Sequence, residues 1–71
     1  MTHTAESLFH TQIPNNRHLF LCLQKYGQNQ FSIEWYNETT DKFYNPIYYK
    51  DLLLCYRDFH RMLKKEISIQ N

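Results

Sequence analysis

From Lys50 to Glu66, apolar side chains recur at helical spacing. On a wheel of about 100° per residue started at Tyr48, the side chains of Tyr48, Leu52, Cys55, Tyr56, Phe59, Met62 and Leu63 fall within roughly 120° of one another. Lys50, Arg57, Arg61 and Lys64 lie opposite. The spacing predicts an amphipathic helix whose apolar stripe has to be covered by another part of the chain. The stretch available for that is Arg17–Tyr48, where the pattern becomes strand-like.

Arg17–Tyr26 reads as a strand. Its centre, Leu19-Phe20-Leu21-Cys22-Leu23, is apolar at every position, as in a strand buried on both faces. Gly27-Gln28-Asn29 is a turn. Gln30–Tyr36 alternates, with Phe31, Ile33 and Trp35 on one side and Ser32, Glu34 and Tyr36 on the other. A three-residue loop with Asn29 at positive φ pairs Tyr26 with Gln30, Leu23 with Ile33 and Leu21 with Trp35. One face then carries Leu19, Leu21, Leu23, Phe31, Ile33 and Trp35, a wall for the helix stripe. A slip of one residue would scatter that set. The reverse face carries Phe20, Cys22, Gln24, Tyr26, Ser32, Glu34 and Tyr36, with His18 at its edge, and is neither a core face nor a solvent face.

Asn37–Asp41 is a second turn. A third strand starts at Lys42-Phe43-Tyr44 and extends through Asn45-Pro46 to Ile47-Tyr48; Pro46 lacks an N–H and suits an edge. Two helix starts compete, one near Asp51 and one with Asn45 as cap and Pro46 in the first helical position; the later is preferred. The helix ends near Glu66 or Ile67, with Lys64 and Lys65 at the negative end of its dipole. Residues 1–16 form a tail or a short helix capped by Thr4, with Glu6 in its first turn. Folded back over the mixed face, that segment would offer Leu8, Phe9 and Ile13.

The expected fold is therefore α+β: a small antiparallel three-stranded sheet, β-β-β-α in order, with one C-terminal amphipathic helix packed on one face. Residues 17–67 make a single domain, after an N-terminal tail or short helix at 1–16 and before a frayed end at 68–71. A chain of 71 residues holds one domain and is only marginally stable by itself. Cys22 and Cys55 stand in no motif and read as small apolar core residues rather than a disulfide. Met1–Gln12 has neither a basic nor an apolar region of the secretory kind, and the apolar run Leu19–Leu23 is too short to span a bilayer. These features lead to the expectation of a cytoplasmic protein with no membrane partner. The Asn37-Glu38-Thr39 glycosylation sequon then reads as a chance match in a turn.

Net charge is +1, so no global polyanion affinity is implied, but aromatic residues reach 17%, with six Tyr and five Phe, which points toward contact surfaces. Chemistry finds little footing. A single glycine excludes a phosphate-cradling loop. Cys55 and His60 diverge by about 140° on the wheel, too far for a nucleophile–base hydrogen bond. Cys22 sits among apolar neighbours, and Glu34 beside it would raise its pKa further. His3, His10, His18 and His60 show no metal-ligand spacing. No catalytic residue, metal, cofactor or small-molecule substrate is expected.

Two functional readings remain. The first is a non-catalytic protein-binding, adaptor or regulatory module that docks a protein partner, or a second copy as a homodimer, through Phe20, Tyr26, Glu34 and Tyr36, with Leu54 as a further apolar contact. Leu53 and Leu54 lie about 140° and 240° round the wheel, off the stripe, and are left exposed. The alternative is nucleic-acid binding, by aromatic stacking on the sheet face or by the stripe Lys50, Arg57, Arg61 and Lys64. Four cations are few for that task, and Asp58 can pair with Arg61.

Overall fold

A computed structural model describes residues 5–14 and 16–69, with side chains through Glu66. Four strands and one helix follow in order: β1 (Glu6–Ile13), β2 (Asn16–Gly27), β3 (Gln30–Asn37), β4 (Lys42–Tyr49) and α1 (Leu52–Ile69). The strands form one antiparallel meander in the order β1-β2-β3-β4, with α1 across one face. The α+β class and the C-terminal helix are as expected. The strand count is four, not three.

The central hairpin has the expected register: Leu23 opposes Ile33, Leu21 opposes Trp35 and Cys22 opposes Glu34. Leu21, Leu23, Phe31 and Ile33 point under the helix and join Cys55, Phe59 and Ile13 in the core, with Leu19 and Trp35 packed at its margin. Burying four aliphatic or aromatic side chains of this size is worth about 1.5–3 kcal/mol each. That is the main reason the helix stays on this face.

All three ladders are irregular: the central and outer ones carry one register shift each, and the β1–β2 ladder carries two, at Ser7/Phe9 and at Gln12/Ile13. In the central ladder, Lys25 opposes Phe31 but Gly27 opposes Gln30, so Tyr26 is an extra residue and not the partner of Gln30. The loop shortens to Gln28-Asn29. Positive φ occurs at Asp41 and Asn45 rather than at Asn29. In the outer ladder, Trp35 opposes Tyr44 and Ile33 opposes Ile47, which leaves Asn45 and Pro46 together against Glu34. Asn45 takes φ 53°, tolerable for a short polar side chain that hydrogen-bonds locally. The extra residue turns Tyr48 away from the helix side and opposite Ser32. Tyr48 therefore belongs to β4, 70% exposed, and not to the helical stripe.

The N-terminal segment is a strand and not a tail or short helix. Ser7 opposes Gln24 and Phe9 opposes Leu23, so Leu8 is the bulged residue. Leu8 packs against the core and Phe9 meets Tyr56 and Phe59, at ring distances of 5.2 and 6.3 Å. Two successive residues thus serve the helix side, which hides the strand period from the sequence. Ile13, 4% exposed, closes the same core. The segment covers no part of the reverse face with Leu8 or Ile13. The cap proposed at Thr4 lies outside the described residues.

The helix begins after Asp51, whose carbonyl accepts the N–H of Cys55 at 3.1 Å, the first bond of the helical ladder. The competing start at Asn45-Pro46 is excluded, because both residues are in β4. Its buried line is Cys55 and Phe59, continued by half-buried Met62 and Leu63; Leu52 and Tyr56 stay 41% and 38% exposed. The Tyr49 hydroxyl donates to Asp58 at 2.8 Å, and Asp58 also meets Arg61 at 3.6 Å. Helical backbone continues through Ile69, past the fraying expected from Ser68.

Ile13→Ala should cost about 2–5 kcal/mol in a urea titration, the usual range for an apolar truncation in a packed core. A cost below about 0.5 kcal/mol, as for an exposed site, would mean that β1 contributes nothing to the fold.

Candidate functional site

Strand alternation places His10 and Ser7 of β1, Phe20, Cys22 and Gln24 of β2, Ser32, Glu34 and Tyr36 of β3, and Phe43 and Tyr48 of β4 on the face away from the helix. No secondary-structure element among the described residues lies over this face, since α1 packs on the other. Its middle is nevertheless sealed: Cys22, Gln24 and Glu34 are each 5% exposed and Ser32 is fully buried. Paired aromatic side chains flank this middle at both ends. At one end the ring of Tyr36 lies 6.3 Å from Phe20 and 4.8 Å from Phe43. At the other, Tyr26 meets Tyr48 edge-on at 6.3 Å.

Glu34 is held inside this arrangement. One carboxylate oxygen, Oε2, accepts the hydroxyls of Tyr26 and of Ser32, the latter at 2.6 Å. A buried carboxylate needs such donors, because an uncompensated charge there would be expelled or protonated. Tyr36 donates its hydroxyl to Asp41 in the neighbouring turn. That turn is tied by Asn37, whose Oδ1 accepts the N–H groups of Thr39 and Thr40 at 2.9 and 3.2 Å. The carboxylates therefore fix the hydroxyl ends of Tyr26 and Tyr36.

Three of the depressions in the surface involve the residues singled out above. Ser7, His10, Phe20, Cys22, Gln24, Tyr36, Glu38 and Phe43 line one of about 340 Å³ on the sheet face. Tyr26, Gln30, Phe31, Tyr48, Tyr49 and Lys50 line another of about 460 Å³ at the far end of β4. Leu53, Leu54, Tyr56, Arg57 and His60 surround a third of about 500 Å³ on the helix.

Of the residues singled out in the sequence, Phe20 and Tyr36 come together and Tyr26 reaches Glu34. Glu34 itself is a buried support and not a solvent-facing contact. Leu54 is on α1, away from the sheet face, 45% exposed beside Leu53 at 76%. Lys50 lies by Tyr48 and Tyr49, while Arg57, Arg61 and Lys64 are on the exposed part of the helix. Sequence reasoning missed Phe43, His10 and Tyr48 as members of the sheet face. Phe43 was within reach, since continuing the hairpin register through the turn sets it against Tyr36; Tyr48 was not, because its face depends on the bulge at Asn45-Pro46.

Both cysteine thiols are held toward the protonated form. The Cys22 thiol is pushed up to about 11, first by burial and then by the Glu34 carboxylate. Burial and Asp58 raise Cys55 equally, to about 11. Both thiols are free, and they lie on opposite faces of the sheet, so no bridge joins them. Among the described residues no cluster of His, Cys, Asp and Glu is placed to hold a metal ion, and no helix is long and apolar enough to cross a membrane. No protein-family model, curated protein or solved structure matches this chain.

The hydroxyl network has a pH signature. Burial, and then the bond to Glu34, push Tyr26 up to about 12. Burial and the bond to Asp58 do the same for Tyr49, also to about 12. Folded-state values above the unfolded ones favour the protonated phenol in the fold. The stabilisation is complete below the ordinary tyrosine value of about 10 and is lost as pH rises toward about 12. Urea midpoints should therefore fall across that window, with less fall in Tyr26→Phe and in Tyr49→Phe. Phenolate absorbance that develops fully near pH 10 with no loss of stability would contradict the network.

Proposed function

We propose that this protein is a non-catalytic interaction module that docks a basic protein segment on the sheet face opposite its helix. The observation that carries the reading is the composition of that face. Phe20, Tyr36, Phe43, Tyr26 and Tyr48 present rings over a floor containing Glu34, with Glu38 and Asp41 at one rim. Arg17, Lys25 and Lys42 fall on the helix side by register and alternation, so among the described residues Lys50 is the one Lys or Arg beside these rings. Rings with carboxylates suit arginine and lysine side chains, which bind an aromatic face and pair with the acid at its edge. Aromatic anchors held by packing lose little entropy on binding, which is why they dominate interfaces.

The same charges weigh against nucleic acid on this face, since carboxylates repel phosphate. The helix stripe Lys50, Arg57, Arg61 and Lys64 supports the alternative reading, reduced by the Asp58–Arg61 pair. The soluble, cytoplasmic setting expected from the sequence fits either reading.

Basic, neutral and acidic peptides of equal length would be titrated while resonances of the sheet face are followed. The basic peptide should shift Phe20, Tyr36 and Phe43 and the acidic one should not. Phe20→Ser or Tyr36→Ala should weaken that binding about tenfold or more, or about 1.4 kcal/mol, with a smaller change in folding stability. Anisotropy with mixed oligonucleotides at low salt should stay flat. Tight oligonucleotide binding with a silent basic peptide would replace this function with the alternative.

A further inference from the structure

We infer that the basic segment received by the sheet face is the outer side of α1 from a second copy of this chain, so that copies associate head to tail. The inference rests on the reading of the sheet face as a docking surface and adds the identity of its occupant. Two exposed features of α1 lie outside the core, and of their residues only Arg61, which pairs with Asp58 at 3.6 Å, has a described polar partner in the monomer. Leu53 and Leu54 are 76% and 45% exposed at the start of the helix, around a depression they share with Tyr56, Arg57 and His60. Arg57, Arg61, Lys64 and Lys65 continue along the exposed part of the same helix. An apolar patch followed by cations is the complement of rings rimmed by Glu38 and Asp41.

Dimensions agree. An 18-residue helix is about 27 Å long. The eight-residue strands β3 and β4 run about 26 Å. One helix therefore lies along the full length of the sheet face. The molecule measures 40 × 27 Å across and 16 Å in its thinnest direction. Its broad sides have room for the roughly 800 Å² per partner of an ordinary stable interface. In this arrangement Leu53 or Leu54 enters the depression formed by Phe20, Tyr36 and Phe43. Arg57, one turn further on, then reaches the acidic rim, and Arg61, two turns on, meets the rings of Tyr26 and Tyr48. Because the two surfaces are different, the contact is heterologous and leaves one free face of each kind at the ends of every pair.

That asymmetry supplies the test. One variant alters the helix, Leu53→Asp with Arg57→Glu. The other alters the sheet face, Phe43→Ser with Glu38→Lys. All four positions are exposed, and circular dichroism would verify that both variants fold. Sedimentation should show the unaltered protein gaining mass with concentration and losing it with salt. Each variant alone should stay a monomer. Mixed one to one, they should form dimers and nothing larger, since each supplies the intact face that the other lacks.

Two results would overturn the inference. One is an unaltered protein that is still a monomer at about 1 mM and low salt, the millimolar limit of a weak contact. The other is a mixture that recovers no dimer while the unaltered protein associates, which identifies a symmetric contact such as edge pairing of β4. The docking reading fails separately, only if a basic peptide also leaves Phe20, Tyr36 and Phe43 undisturbed.

Discussion

A pleated strand turns successive side chains to opposite faces, and it can change that assignment only by inserting a residue. This constraint governs the whole molecule. The central hairpin keeps an uninterrupted two-residue period from Leu19 to Lys25 and from Phe31 to Asn37, which commits Leu21, Leu23 and Ile33 to the helix and Cys22, Ser32 and Glu34 to the reverse side. On either flank one extra residue, Leu8 in β1 and the Asn45-Pro46 pair in β4, resets the pattern. The first reset delivers both Leu8 and Phe9 to the helix. The second sends Tyr48 to the sheet face, where it meets Tyr26.

The two faces that result solve different problems. The helix side removes aliphatic surface from water: among the described side chains of α1, Cys55 and Phe59 are buried and Met62 and Leu63 are partial contacts. The tyrosine–aspartate bond from Tyr49 to Asp58 then ties the end of β4 to the helix that follows it. The reverse side hides polar atoms beneath rings. Glu34 is tolerated there because two hydroxyls reach it, and the same hydroxyl bond orients Tyr26. Packing and presentation of aromatic surface are one arrangement, not two.

That coupling supports the proposed reading of the face as a contact surface. The groups most often recruited for chemistry, the thiols, are raised by burial and by neighbouring carboxylates, which disfavours the thiolate that would react. The carboxylate on the floor has both of its hydroxyl donors from within the fold. In the proposed docking, ring surface and the acidic rim are what another molecule would meet.

The sequence by itself determined the α+β class, the face sorting and register of the central hairpin, and the edge position of β4 around Pro46; of its two competing helix starts, the structure chose the one beside Asp51. Those features rest on local periods and caps, which operate within a few residues. Only the tertiary structure decided that residues 6–13 form a fourth strand, that Tyr48 joins the sheet face, and that Glu34 is enclosed. A bulge is specified by the hydrogen bonds of two strands together, and no single-strand pattern records where the extra residue goes. For the same reason the burial of Glu34, which depends on rings arriving from β2 and β4, exists only once those strands are paired.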